Sequence, residues 1–174
     1  MPVALHLQAV KPQKGPRLKK EKEKEKDAFL PEAGPAPSGK EPPLLIGRNR
    51  RILVVDDNPV ILKAFEQKLK ATGFSVTTLS DAAATASTAE QDKAELIILD
   101  INFNASNGVE WSGFTIMQWL RRFPELAGIP VILVTGGDPS IYKERALAAG
   151  AVAFFQKPVD PKALLSAIFL ALEK

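Results

Sequence analysis

The sequence from residue 51 onward predicts an α/β domain in which helices cover both faces of a parallel β-sheet. Five short apolar runs alternate with segments whose apolar residues recur every three or four positions. The first pattern is typical of strands buried on both faces, and the second is typical of amphipathic helices. Because parallel strands need crossover connections, this alternation indicates a doubly wound sheet built from five βα units.

The predicted strands are short and rich in β-branched and aromatic residues, as strands usually are. They occupy residues 52–55, 74–79, 96–99, 131–134 and 151–155. Four of the five are apolar almost throughout. This composition indicates that helices cover both of their faces.

A helix is predicted after each strand, and most of the helix ends are marked in the sequence. Three helices are preceded by a side chain that can accept hydrogen bonds from the first turn, and then by a proline that fits the first helical position. These capping residues are Asn58, Asp138 and Asp160. Asp81 can cap a fourth helix, while Gly73 and Gly150 stand where the first and fourth helices must end.

The N-terminal part of the chain differs in composition from the rest. Residues 1–51 contain 12 Lys and Arg against 6 Asp and Glu, a net charge of +6, whereas residues 52–174 contain 11 against 14, a net charge of −3. Of the 14 prolines, 8 lie in the first 51 residues. The sequence therefore predicts a disordered, basic, Pro/Lys/Glu-rich tail and linker over residues 1–47 and one folded domain over residues 48–174.

The basic residues of the tail allow a second interpretation. Residues 11–20 are a candidate arm for nucleic acid or for an acidic partner. Glutamates alternate with the lysines over residues 19–27, and aromatic residues are absent from this stretch. Both observations weaken that interpretation, so we expect a solvated tail and no nucleic acid partner.

Cysteine and histidine usage excludes several kinds of site. The chain has no cysteine and one histidine, His6, which excludes disulfide scaffolds, Cys/His zinc sites and cysteine nucleophiles. No apolar run approaches the roughly 18 residues of a membrane span, so we expect a cytoplasmic protein without membrane contact. The domain is expected to end with the last helix, which leaves no place for a C-terminal output domain.

Polar side chains follow four of the predicted strands at the point where each strand ends. They are Asp56 and Asp57 after the first strand, Asp100 after the third, Thr135 after the fourth and Lys157 after the fifth. In open parallel sheets, ligands bind beyond the carboxyl ends of the strands. Taken singly, each residue has an ordinary role as a cap or turn residue; together they indicate one site.

The residue types of this site favour phosphoryl chemistry that depends on a metal ion. Three neighbouring carboxylates raise one another's pKa unless a counter-charge is present. An all-oxygen site favours Mg²⁺, with Mn²⁺ as an alternative, over zinc or copper. With a cation and Lys157 to offset the charge, one aspartate can attack a phosphoryl group.

Four segments of the chain resemble the receiver domain of response regulators in two-component signalling. They are RILVVDDNP from residue 51, LIILDI from 96, PVILVTG from 130 and GAVAFFQKP from 150. The resemblance covers about residues 50–174. In its organisation the chain resembles the single-domain, chemotaxis-regulator-like members. It implies a flavodoxin-like five-stranded sheet of order 2-1-3-4-5 with five helices, a bound Mg²⁺, and an aspartate phosphorylated by a histidine kinase or a phosphotransfer protein.

The resemblance also assigns roles to the acidic residues and their neighbour. Asp100 matches the phosphoacceptor. Asp56 and Asp57 match the pair that holds the metal together with Asp100. Asn102 matches the position whose backbone carbonyl completes the metal shell.

The remaining matched residues imply a switch and an output surface. Thr135 matches the switch hydroxyl and Lys157 the amine that pairs with the phosphoryl group. Phe154 matches the aromatic that turns inward, although a plain core role for this residue stays open. The signal is expected to leave by protein contact through the fourth helix, the fifth strand and the fifth helix. Candidate residues on the fourth helix are Pro139, Ile141, Tyr142 and Lys143.

One segment departs from the family pattern. Phe103 and Asn104 stand where the family usually has Met-Pro, and residues 104–112 are interpreted as an insertion of roughly five residues. The insertion borders Asp100, so it puts the metal shell and the kinase-docking surface in question.

Three other functions fit these residues less well. A phosphatase of the haloacid-dehalogenase type needs Asp-x-Asp after the first strand, and Asp56-Asp57-Asn58 lacks that spacing. A dinucleotide-binding domain needs a Gly-rich turn there, which is absent. A degenerate receiver that only binds partners would not need the intact acidic pair, acceptor, threonine and lysine. We therefore predict a phosphorylation-activated signalling switch and not an enzyme.

Overall fold

The computed structural model describes residue 47, residues 49–103 and residues 112–173. These residues contain a five-stranded sheet of order β2-β1-β3-β4-β5, in which every neighbouring pair is parallel. The strands are β1 Arg51–Val55, β2 Ser75–Leu79, β3 Leu96–Asp100, β4 Val131–Thr135 and β5 Ala153–Gln156. The predicted fold class, strand number and strand order are confirmed.

The five predicted helices are present in the described part of the chain, together with one short additional helix. They are α1 Pro59–Ala71, α2 Thr85–Gln91 after a 3₁₀ turn at Ala82–Ala84, α3 Gly113–Leu120, α4 Pro124–Ala127, α5 Pro139–Ala148 and α6 Pro161–Leu172. The additional helix is α4, a single turn. Its C-terminal end is held by Arg121, whose Nη1 donates to the carbonyls of Ala127 and Ile129.

The helix ends follow the capping signals of the sequence. Asn58, Asp138 and Asp160 each accept a backbone N–H of the first turn of α1, α5 and α6, at 2.9, 2.9 and 2.8 Å respectively. Gly73 and Gly150 have φ values of +90° and +83°, a region that glycine adopts without steric cost. These contacts confirm the predicted helix starts and turns.

The strands alternate their side chains between two apolar layers. On one side, Leu53 and Val55 of β1 pack in a cluster that includes Phe114 and Met117 of α3. The other side faces α1 and α6, where a second cluster forms around Ile52 and Val54. β1, β3 and β4 are almost wholly buried, whereas β2 is the partly exposed edge strand. The carboxyl ends of three buried central strands therefore open at one edge of the sheet.

The predicted tail lies outside the described residues, apart from Gly47. The Gly47 carbonyl accepts a hydrogen bond from Arg50 N at 3.2 Å. A Cβ atom at residue 47 would lie 2.6 Å from the Thr72 carbonyl oxygen, so the chain passes close to the turn after α1. Among the described residues, no helix combines the length and apolarity needed to cross a membrane.

Candidate functional site

Three carboxylates meet where β1 and β3 end. Asp56, Asp57 and Asp100 each offer one oxygen, and these oxygens lie within 4.8 Å of one another. The proximity follows from the sheet, because Val55 pairs with Leu99 and the next residues of the two strands are adjacent. Asp56 and Asp100 are 2% and 4% exposed. The structure thus brings together the three acidic residues that the sequence predicts.

Lys157 lies between two of these carboxylates. Its Nζ is 2.6 Å from Asp56 Oδ2 and 3.0 Å from Asp100 Oδ1. Burial lowers the pKa of Lys157, but hydrogen bonds to the two aspartates outweigh burial and hold the pKa above its ordinary value. The side chain is therefore a permanent cation at this edge of the sheet.

Asp56 is held from both of its carboxylate oxygens. Its Oδ1 accepts the backbone N–H of Asn58 at 2.9 Å, while Oδ2 pairs with Lys157. Asn58 in turn caps α1 through its own side chain. The start of α1 therefore fixes the orientation of Asp56.

The carboxylate of Asp100 has a less complete set of polar partners than the carboxylate of Asp56. Burial raises its pKa from the ordinary 3.8 to about 6, against the opposing pull of Lys157 and with a smaller upward effect of Asp56 and Asp57. Its Oδ1 is buried, and the ion pair that it forms with Lys157 Nζ at 3.0 Å is shared with Asp56. Asp100 thus carries a poorly solvated oxygen with room for a further electrostatic partner.

The donor set suits a hard divalent cation. It consists of carboxylate oxygens, two of the three aspartates are buried, and these two share the Lys157 ammonium. Mg²⁺ prefers oxygen ligands and is bound through a few carboxylates while it keeps several waters. Asp56, Asp57 and Asp100 therefore fit the predicted metal; the contribution of the Asn102 carbonyl stays a prediction.

Thr135 is the last residue of β4, one position beyond Val134, which pairs with Asp100 in the sheet. Its side chain is fully buried, and its Oγ1 accepts hydrogen bonds from Asn102 Nδ2 and from Gly137 N, each at 3.0 Å. The sequence predicts only a backbone role for Asn102 and no role for Gly137. The sequence feature that could have indicated this contact is the position of Asn102, which lies two residues after the end of β3, the strand that neighbours β4.

The comparison with protein families decides which family this arrangement belongs to. The model of the response regulator receiver domain matches residues 52–169, a span that contains all five predicted site residues. The chain belongs to the response regulator receiver domain family.

Relatives and solved structures agree with this assignment. The chain is 32% identical over 118 residues to the response regulator PleD of Caulobacter vibrioides, covering 68% of this chain and 25% of PleD. It is 28% identical over 111 residues to the polar-differentiation response regulator DivK of Brucella anthropi, covering 64% of this chain and 86% of DivK. A CheY-like receiver domain protein from Methanospirillum hungatei superimposes with a TM-score of 0.63 at 29% identity, over 72% of this chain and 94% of that one.

The relatives differ in length from this receiver domain. The chain spans 25% of PleD and 50% of the transcriptional regulatory protein GltR of Pseudomonas aeruginosa. The functions that these longer relatives carry in their remaining segments lie outside the region that they share with this chain. The similarity therefore concerns the receiver domain.

The ends of the predicted insertion are joined next to the acidic site of the receiver domain. Residues 104–111 lie outside the described residues, but Asn102 and Ser112 form an isolated antiparallel bridge. Gly113 N donates to the Ile101 carbonyl at 2.9 Å, and a Cβ at Gly113 would collide with the Asp100 carbonyl oxygen. The residues that flank the predicted insertion are therefore held together, and Asp100 keeps its place at the end of β3.

Phe154 and the candidate output residues lie on the α5 and β5 side of the receiver domain. Phe154 is 1% exposed and belongs to the core cluster of that side. Ile141 is 65% exposed, whereas Pro139, Tyr142 and Lys143 are half-buried. The Tyr142 ring stacks on that of Phe114 in α3, with 6.3 Å between the ring centroids. One end of α5 is thus tied to α3 while Ile141 faces solvent.

Proposed function

We propose that this receiver domain is a phosphorylation-activated response regulator. Asp100 accepts a phosphoryl group from a histidine kinase or a phosphotransfer protein, with Mg²⁺ or else Mn²⁺ at the acidic site. The output is contact with another protein, and the chain turns over no substrate of its own as an enzyme. The cytoplasmic location and the boundary of the tail at residue 47 stay predictions from the sequence.

The difference between Asp100 and Asp56 carries this proposal. Both oxygens of Asp56 are engaged, one by Asn58 N and one by Lys157 Nζ at 2.6 Å. Asp100 Oδ1 is buried and depends on the same Lys157 Nζ, at 3.0 Å, and burial raises the pKa of Asp100 to about 6. At neutral pH Asp100 is mostly ionised yet poorly stabilised, which favours it as the nucleophile.

The chemical step is the transfer of one phosphoryl group. A carboxylate oxygen of Asp100 forms a bond to phosphorus while the bond from phosphorus to the histidine nitrogen of the donor breaks. The electron pair of the broken bond stays on the imidazole. The Lys157 ammonium pairs with a phosphoryl oxygen, and the Thr135 hydroxyl donates to another. A divalent cation, when bound, offsets the negative charge of the phosphoryl oxygens.

The output surface is proposed on α5, β5 and α6. Ile141, Leu147 and Val152 expose apolar side chains there, which favours contact with a protein. Phosphorylation at Asp100 adds charge beside Thr135 at the start of the connection to α5. Phe154, buried beneath this surface, is the residue whose packing we expect to change with the state of Asp100.

Phosphorylation with a small donor tests the proposal. The protein is incubated with Mg²⁺ and acetyl phosphate, and the intact mass is measured. The wild type should gain one phosphoryl group that hydroxylamine removes, and Asp100→Asn should gain none. Asp160→Asn is a matched control, because Asp160 is an exposed cap of α6 and asparagine caps equally well. Undiminished labelling of Asp100→Asn would contradict the proposal.

A further inference from the structure

The Thr135 hydroxyl has an unusual set of partners. Its oxygen accepts from Asn102 Nδ2 and from Gly137 N, both at 3.0 Å, and the side chain is fully buried. A hydroxyl has one proton to donate and two lone pairs that accept. Both lone pairs are therefore used, and the proton must be directed away from the two nitrogen donors.

We propose that the Asn102 side chain is a positioning residue that orients the Thr135 hydroxyl as a donor toward the phosphoryl group on Asp100. This inference rests on the function proposed above. Asp100 pairs with Val134 in the sheet, so Thr135 lies one residue further along the neighbouring strand, at the same edge. An amide that donates to Oγ1 excludes rotamers of the hydroxyl in which its proton points at Asn102.

Gly137 supplies the second hydrogen bond to the Thr135 oxygen through its backbone N–H. A Cβ at residue 137 would lie 3.4 Å from Thr135 Oγ1 and 3.6 Å from Asn102 Nδ2, and it would press on the Tyr142 ring at 2.9 Å. The Gly137 carbonyl is also bonded by Gln156 Nε2 at 3.2 Å. A side chain at residue 137 would therefore displace the Tyr142 ring, whereas its contacts with Thr135 and Asn102 would have ordinary van der Waals lengths.

The same hydrogen bond has an opposite interpretation, in which it restrains the hydroxyl from moving to the phosphoryl group. The two interpretations predict changes of opposite sign when the amide is removed. If Asn102 orients the hydroxyl, its loss weakens the binding of a phosphoryl mimic. If Asn102 restrains the hydroxyl, its loss strengthens that binding and overturns our proposal.

A double-mutant cycle with beryllium fluoride and Mg²⁺ as the probe tests the inference on the full chain. We expect Asn102→Ala to weaken the apparent affinity for beryllium fluoride about fivefold, the size of one ordinary hydrogen bond. In the Thr135→Ala background the same change should have no further effect, because Asn102 acts through the hydroxyl. An equal loss in both backgrounds would show a merely structural role and overturn the proposal.

Two further variants keep the outcome decisive. Asn102→Asp has the same shape but cannot donate, so it should also lose more affinity in the wild-type than in the Thr135→Ala background, and it replaces the alanine variant if that variant does not fold. Asp100→Asn separates the two proposals. Failure of the wild type to bind beryllium fluoride, or equal binding by Asp100→Asn, refutes the proposed function, whereas wild-type binding that Asn102→Ala leaves unchanged refutes only the role of Asn102.

Discussion

Replacing Asp100 by Asn should stabilise the metal-free domain at neutral pH and leave its stability almost unchanged in acid. The carboxyl group is 4% exposed and shares the Lys157 ammonium with Asp56. Burial therefore outweighs attraction, and the pKa of Asp100 is raised from 3.8 to about 6. An amide of nearly the same shape removes the buried charge and keeps the packing.

The size and the sign of the effect follow from the raised pKa. A rise from 3.8 to about 6 corresponds to about 3 kcal/mol against the ionised form in the folded state. Below pH 4 the carboxyl is protonated in both the folded and the unfolded chain, so it contributes nothing. As the pH rises from about 4 to about 6, the unfolded chain releases this proton more readily than the folded chain does. The free energy of unfolding of the wild type therefore falls over this range. The substitution should recover up to about 3 kcal/mol above pH 6.

Urea unfolding followed by circular dichroism, with EDTA present, measures this difference. The free energy of unfolding of both proteins is compared at several pH values between 4 and 7.5. Taking the difference between the two proteins at each pH cancels the titration of the groups that they share. Asp160→Asn controls for the loss of a carboxylate as such, because that residue is exposed and its replacement still caps α6. This control should differ little from the wild type at every pH.

Two results would refute the reasoning about Asp100. A gain in stability of equal size at pH 4 and pH 7.5 would show that packing, and not charge, is responsible. A loss of stability at pH 7.5 would show that Lys157 stabilises the carboxylate more than burial destabilises it. Saturating Mg²⁺ should reduce the advantage of the variant, because the cation binds the native wild type and offsets the same charge.

Three other predictions follow from the structure. Asp57→Ala should abolish the rise in melting temperature that Mg²⁺ gives the wild type, since one of three clustered carboxylates is lost; an unchanged response would place the metal elsewhere. Gly113→Ala should lower the free energy of unfolding by about 1–3 kcal/mol in urea titrations, because its Cβ collides with the last carbonyl of β3. Gly128→Ala is the control and should be nearly neutral, because no atom lies within 4 Å of the added Cβ. Hydrogen exchange with and without beryllium fluoride should differ most over residues 136–142 and 153–156; a change confined to the insertion would contradict the output surface proposed on α5.

The sequence predicts the helices and strands well where local chemistry determines them. The caps at Asn58, Asp138 and Asp160 depend on contacts within one turn, and all three form. The α4 turn was not predicted, since four residues are too few to show a helical period. Its carbonyls are held by Arg121 from outside the turn, and such a contact has no periodic signal in the sequence.

The candidate site divides in a similar way. The convergence of Asp56, Asp100 and Lys157 follows from strand order alone, because each residue directly follows or ends a strand of a parallel sheet. The contact between the Asn102 amide and Thr135 depends instead on the path of the chain beyond β3. That path is set by the bridge to Ser112 and by tertiary packing, which the spacing of residues does not reveal.

The chemistry of the site follows from a shortage of positive charge. Among the described residues, three carboxylates meet one ammonium group, and Lys157 lies nearer to Asp56, at 2.6 Å, than to Asp100, at 3.0 Å. Asp100 is the member whose pKa burial raises, and its buried Oδ1 has the longer of the two ion pairs. The feature that weakens the metal-free fold is the one that favours attack on phosphorus, since a poorly stabilised carboxylate is the more reactive nucleophile. Natural proteins often retain such a destabilising group where function requires it. The gain in stability of Asp100→Asn and its loss of phosphorylation should therefore appear together.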